Sequence, residues 1–264
     1  IYNSENYYFK EYDYFRSTGL AHYLYPLFRF VFRKKFKKAI RFAELSIYNC
    51  KELEKEYSKE FSLPSATIYT STEILGLDSK NNCKHIGSPF TVSYLGNMGV
   101  GRVDVLCEFA KTLGELDKES ILQVYGKVPN EEMQQQLDSC SNIKCMGFVS
   151  YKKVVDVMKN SDLLIHVESF EEFYREDLKY AFSTKIADSL ACGTPFLLYA
   201  PQTCVCSSYL KGNKLAFVVD NQKDLKELLL LIQKDLSFRN KYLSNALIAA
   251  KENHNLEKNR IKFQ

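Results

Sequence analysis

Ser183-Thr184-Lys185-Ile186-Ala187-Asp188-Ser189-Leu190-Ala191-Cys192-Gly193-Thr194-Pro195 sets hydroxyls and a lysine at the opening of a helix, an acid one turn later and Gly-Thr-Pro at its end. Apolar runs flank it at 163–167 and 196–199, so it reads as the crossover between two strands. Unpaired amides at a helix start, with a lysine beside them, attract a pyrophosphate. The acid, about 6 Å beyond the helix start at ~1.5 Å per residue, reaches ribose hydroxyls. The same residues also describe a capped amphipathic helix packing Ile186, Ala187 and Leu190 on a sheet, and the segment alone does not separate the two readings.

Outward from this stretch, strand and helix alternate from Pro89 onward. Strands are predicted at 91–95, 121–125, 143–146, 163–167, 196–199 and 216–219, with helices at 103–116, 131–140 and 152–161. That spacing is the mark of parallel strands with crossover helices, and six of them favour a doubly wound, Rossmann-like α/β sheet of order 3-2-1-4-5-6. Two helices, the first leucine-rich, are predicted across 223–255 and close the domain. Before Pro89 the pattern changes: an aromatic, charged region to about Tyr25, a basic helix over 26–43, a strand at 46–49, a helix at 52–61 and a strand at 66–69. This reads as the remnant of a second α/β domain over 1–85, with 78–84 as a polar linker to the domain at 86–264.

Composition narrows the function. A net charge of +4 on 264 residues does not by itself suit nucleic acid, and cations cluster only at Arg33-Lys34-Lys35-Phe36-Lys37-Lys38. In the basic helix around Arg29–Lys38, Phe30, Phe32 and Phe36 interleave with the cations, which suits peripheral contact with an anionic membrane surface, or a solvated face beside a domain interface. The eight cysteines (50, 83, 107, 140, 145, 192, 204, 206) are scattered without zinc-ligand spacing, so a reducing, cytoplasmic compartment and no metal are expected. The amino terminus has neither a signal-peptide core nor an initiator methionine, which suggests that the chain begins inside a longer protein.

In a 3-2-1-4-5-6 sheet, ligands bind where the strand order reverses, between the first and fourth strands. The loop leaving the first is Gly96-Asn97-Met98-Gly99-Val100-Gly101-Arg102, and the one leaving the fourth runs from His166 into Ser183-Thr184-Lys185. Topology therefore brings Arg102 and Lys185 toward one crevice. Gly-x-x-Gly-x-Gly is not the dinucleotide fingerprint, and the end of the second strand reads Tyr125-Gly126-Lys127-Val128, with no acid for an adenosine ribose. A nicotinamide-dependent epimerase is thereby disfavoured.

The run from Phe182 to Pro195, followed by Leu198-Tyr199-Ala200-Pro201, resembles the donor-site segment of glycosyltransferase family 4, the retaining enzymes of GT-B architecture. Tyr94-Leu95-Gly96-Asn97, Val124-Tyr125-Gly126, Met146-Gly147-Phe148-Val149-Ser150 and Asn160-Ser161-Asp162-Leu163-Leu164 support the resemblance, which covers 86–264 well and 1–85 loosely. It implies a site for a nucleoside-diphosphate-sugar as substrate, without further cofactor or metal. Arg102 and Lys185 would be the catalytic cations that stabilise the departing diphosphate. Gly96, Asn97, Ser183 and Thr184 would line the donor site, Phe148 and Val149 would border the base, and Asp188 would stand for the family's ribose-binding glutamate. The family's other glutamate lies eight residues earlier, where this chain has Tyr180. Glu168, Glu171 or Glu172 could supply a donor-sugar contact, or form an acidic surface loop. His166 reads as a satisfied core or rim histidine.

The activity so implied is transfer of a sugar, with retention, to a glycan or lipid-linked acceptor in surface polysaccharide synthesis at the inner face of the membrane. With the acceptor half incomplete, the chain alone is expected to turn over little. A noncatalytic nucleotide-binding or partner-docking domain is the alternative.

Overall fold

The computed structural model describes residues 2–4, 7, 18–74 and 89–263. The chain forms two units, one of residues 1–69 with 180–182 and the other of residues 70–179 with 183–264. The predicted linker at 78–84, and the domain boundary expected at 85–86, lie outside the described residues.

In the first unit, β1 (Tyr2–Ser4), β2 (Ser46–Tyr48) and β3 (Ser65–Thr67) pair in parallel in that order. The helix α1 (Leu20–Ile40) leads from β1 to β2, and α2 (Lys51–Ser58) from β2 to β3. Ile47, Leu53 and Tyr57 are buried, with the Tyr48 and Tyr57 rings stacked at 5.1 Å. Glu60 anchors α1 by ion pairs to Arg33 at 2.9 Å and Lys37 at 3.0 Å, and it accepts from the Tyr7 hydroxyl. Burial raises the pKa of this carboxyl, but Lys37 and Arg33 outweigh it and hold the group below its ordinary value. The helix predicted over 26–43 begins earlier and runs through Pro26. A proline removes one amide donor and strains one turn, which the neighbouring turns offset here.

The second unit carries the larger sheet. Its strands are β4 (Thr91–Leu95), β5 (Ile121–Tyr125), β6 (Ile143–Gly147), β7 (Leu163–Val167), β8 (Phe196–Tyr199) and β9 (Phe217–Val219). All pair in parallel in the order β6-β5-β4-β7-β8-β9, which is the expected 3-2-1-4-5-6. Every residue of β7 and β8 is buried, as a parallel sheet covered on both faces requires. The helices are α3 (Arg102–Leu116), α4 (Glu131–Asp138), α5 (Tyr151–Asn160), α6 (Glu172–Leu178), α7 (Lys185–Ala191), α8 (Val205–Gly212), α9 (Gln222–Lys234), α10 (Leu236–Arg239), α11 (Leu243–Asn253) and α12 (Leu256–Phe263). Leu106, Phe109 and Leu113 of α3 share one core with Leu225, Leu229 and Ile232 of α9.

The closing segment differs from the two helices expected. Asp235 ends α9 and its side chain accepts from the Phe238 amide, so a new helix starts at once. At the centre of the sheet, Gly126 follows β5 with φ 147°, and a Cβ there would lie 2.1 Å from the Gly96 carbonyl oxygen. Only glycine lets the loops leaving β4 and β5 come this close.

His254, just after α11, is fully buried and neutral by design. Its Nδ1 donates to the Thr70 carbonyl at 2.7 Å, so Nε2 accepts from the Tyr209 hydroxyl at 3.0 Å. Burial lowers its pKa below the ordinary 6.5. The unfolded chain therefore takes up a proton at a pH where the folded chain does not, and the stability present above pH 6.5 is lost as the pH falls toward the folded value. Urea unfolding followed across this range should show that loss, and His254→Gln should flatten it; an unchanged profile would contradict the assignment.

Candidate functional site

A cavity of about 810 Å³ opens at the carboxyl ends of the strands in the second unit. Gly96 and Asn97 from the β4 loop and Tyr125–Lys127 from the β5 loop form one side. Phe148, Val149 and Tyr151 around the start of α5 form another, Thr184, Lys185 and Asp188 of the α7 turn a third, and Thr70, Ser71 and Glu73 also line it. This is where the order reverses between β4 and β7, as expected of a doubly wound sheet.

Seven of the residues singled out in the sequence thus meet on one wall or another: Gly96, Asn97, Phe148, Val149, Thr184, Lys185 and Asp188. Phe148 is 86% exposed, an aromatic face available at the rim. Lys185 is exposed, with its ammonium 3.2 Å from the Thr184 hydroxyl. Asp188 accepts from the Thr72 hydroxyl at 2.6 Å and the Tyr151 hydroxyl at 3.4 Å, both on Oδ1. Its Oδ2 has no hydrogen bond among the described residues, which leaves a carboxylate oxygen for a ligand. Burial raises the Asp188 pKa, against the opposing pull of Thr72, Tyr151 and Lys185.

The start of α7 is less open than the sequence suggests. The Lys185 amide is turned to the Ser183 hydroxyl at 3.4 Å and the Ile186 amide donates to the Ser183 carbonyl at 3.1 Å. Thr184 itself is helical and makes no side-chain cap. Ser183 therefore occupies amides expected to be unpaired, and the positive charge facing the cavity rests on side chains. Lys127, next to the close-packed Gly126, adds a second cation to the lining. Lys127 is not among the site residues expected from sequence, although the Gly-Lys step after a strand is a signal for it.

Arg102 is not part of the cavity lining. Its guanidinium meets Glu168 Oε2 twice, from Nη2 at 2.7 Å and Nε at 2.9 Å, and also reaches the Val167 and Gly99 carbonyls. The other carboxylate oxygen, Oε1, meets His166 Nε2 at 2.9 Å. Glu168 is 1% exposed, so the reading of it as part of an acidic surface loop is corrected: only Glu171 and Glu172 are exposed. Burial raises its pKa, but His166 and Arg102 outweigh that and hold it ionised below the ordinary value. His166 is buried and lies parallel to the Tyr94 ring, but its Nδ1 has no partner among the described residues, so it is less satisfied than expected. Gly101, at φ 67°, lets this cluster form, since a Cβ would sit 2.5 Å from the Ser169 hydroxyl. Tyr180, at the position of the missing acid, is buried in the first unit near Tyr7.

A family model described as glycosyl transferases group 1 matches residues 89–248, more than half of the chain. The chain belongs to this family. Its fold is that of GT-B glycosyltransferases. A mutant of TarM from S. aureus, solved with Fondaparinux, alpha-GlcNAc-glycerol and UDP, superposes with TM-score 0.67 at 13% identity over 96% of this chain and 48% of that one. WaaG, a glycosyltransferase involved in lipopolysaccharide biosynthesis, gives 0.61 at 17% identity over 94% and 72%. Alr3699/HepE of Anabaena, solved with UDP and glucose, gives 0.66 at 15% identity over 88% and 66%. The chain of this group 1 glycosyl transferase thus spans about half the length of the first of these structures. A comparison with curated proteins by sequence finds no match.

The buried carboxylate gives a direct test of the site's architecture. Glu168→Ala would leave His166 and Arg102 without their partner, at a cost of about 3–5 kcal/mol. Glu168→Gln, whose amide oxygen still accepts from Arg102, should cost less. Urea midpoints for the two variants should fall in that order with unchanged slopes, and a midpoint for Glu168→Ala equal to the wild type would contradict the clamp.

Proposed function

We propose that this chain is the donor-binding part of a glycosyltransferase, which moves a sugar from a nucleoside diphosphate to a glycan or lipid-linked acceptor with retained configuration. The observation that carries the reading is the cavity at the strand reversal, with Lys185, Lys127 and the open Oδ2 of Asp188 on its walls. Lys185 lies along the diphosphate, Asp188 Oδ2 accepts from a ribose hydroxyl, and the rim aromatic Phe148 with Val149 borders the base. As the bond between the sugar's anomeric carbon and the diphosphate oxygen breaks, the electron pair leaves with the diphosphate, an acceptor hydroxyl oxygen bonds to the same face of that carbon, and the hydroxyl proton passes to the departing diphosphate. Lysine charge in the cavity lowers the energy of that developing anion. Arg102, outside the lining and held in one orientation by Glu168, is the second catalytic cation of this reading, and no metal is required when ammonium and guanidinium groups do this work.

Three relatives of the same fold bear on the donor, since two were solved with UDP and one is described as acting in lipopolysaccharide biosynthesis. A uridine diphosphate donor and a role in surface polysaccharide synthesis at the cytoplasmic face of a membrane follow as part of this proposal.

Calorimetric titration with UDP, UDP-glucose, uridine and NAD tests it. UDP should bind and NAD should not; NAD binding without a response to UDP would reverse the reading. Lys185→Ala should weaken UDP roughly tenfold to a hundredfold, the worth of a charge-assisted hydrogen bond, and leave uridine nearly unchanged. Equal losses for both would remove the diphosphate role of Lys185.

A further inference from the structure

The helix α1 (Leu20–Ile40) is inverted relative to a helix on a soluble surface. The side that packs on its own unit carries Arg33 and Lys37, paired with Glu60, beside Phe36, whose ring lies 6.3 Å from Phe61. The opposite side carries Leu20, Leu24, Leu27 and Val31, at steps of four, three and four residues, which form one stripe at helical spacing. All four are exposed, Leu20 at 74% and Leu27 at 62%, and Tyr23 and Phe30 flank them at 80% and 60%. The stripe is about 16 Å long at ~1.5 Å per residue. On the same side, the next turns carry Lys34, Lys35 and Lys38, all exposed. Lys34 lies over the Phe30 ring at 5.6 Å.

No acidic residue occurs within the helix. No helix among the described residues is long and apolar enough to cross a membrane. Apolar side chains that face outward, continued by lysines with no acid among them, match a surface that is apolar beneath and anionic at its boundary. We infer that α1 lies flat on an anionic lipid surface, its leucine stripe among the acyl chains and Lys34, Lys35 and Lys38 on the headgroups. A protein partner would need a matching acidic groove, whereas an anionic bilayer supplies both layers without one. The inference stands apart from the proposed sugar transfer, because none of these residues belongs to the donor cavity.

The test is co-sedimentation of the chain with vesicles of phosphatidylcholine alone and of phosphatidylcholine mixed with phosphatidylglycerol, at low and high salt. Binding should require phosphatidylglycerol and weaken with salt. Replacing Lys34, Lys35 and Lys38 together by Gln should lower affinity roughly a hundredfold, and Leu24→Ser with Leu27→Ser should lower it further at high salt. These exposed substitutions should leave circular dichroism and UDP binding as they are. Absence of binding to the mixed vesicles, or binding indifferent to both sets of substitutions, would overturn the inference. So would self-association in light scattering that the leucine substitutions abolish while vesicles go unbound, since the occupant would then be a second copy.

Discussion

Both oxygens of Glu168 are committed, one to Arg102 and one to His166, and this buried carboxylate sets the geometry at the strand reversal. A parallel sheet leaves a gap where neighbouring crossovers run to opposite faces. In this chain the gap is spanned by an ion pair between the first turn of α3 and the end of β7, which fixes the β4 loop. Gly101 allows that turn to approach Ser169, and Gly126 allows the β5 loop to approach Gly96. The cavity therefore opens on a frame held by two glycines and a carboxylate, with Lys127 mounted on a loop and Lys185 at the start of α7.

How legible this was follows from what each feature owes to neighbouring residues in the chain. The six strands read well because a sheet buried on both faces demands uninterrupted apolar runs such as Leu163-Leu164-Ile165-His166-Val167, and crossover spacing leaves few alternatives for their order. The helices α6 and α8 escaped because each is a single polar or mixed stretch of two turns with little periodicity to detect. In the first unit, Pro26 marks a helix start in sequence, whereas the helix of the structure runs from Leu20 past it. Local punctuation is persuasive in sequence and is overruled by packing when one lost hydrogen bond is outweighed.

The site divides along the same line. Gly96, Asn97, Phe148 and Val149 directly follow strand ends, and Thr184, Lys185 and Asp188 belong to the opening turn of the crossover helix α7, so topology sends them to the cavity. Burial of Glu168 was not legible, since Glu-Ser-Phe-Glu-Glu reads as a solvated loop until the residue pairing with its first acid is known, and that residue is 66 positions away. The amides at the start of α7 are less open than their sequence implies for a related reason. A hydroxyl two residues ahead of a helix both advertises a helix start and competes for its amides, and here Ser183 does the second.

The ion pair also decides how Arg102 could serve a departing diphosphate. A guanidinium bound twice to a buried carboxylate has its charge largely compensated, so it attracts an anion less than an exposed lysine does. Yet Arg has five donors, and the contacts to Glu168 and to the Val167 and Gly99 carbonyls hold the planar group in one orientation. A cation fixed in this way costs little further entropy when a ligand arrives, whereas Lys185 must surrender the rotamers of an exposed side chain. Under the proposed donor reading the two cations therefore differ in physical character: Lys185 is an exposed side chain on the cavity wall, and Arg102 is held in one orientation by Glu168.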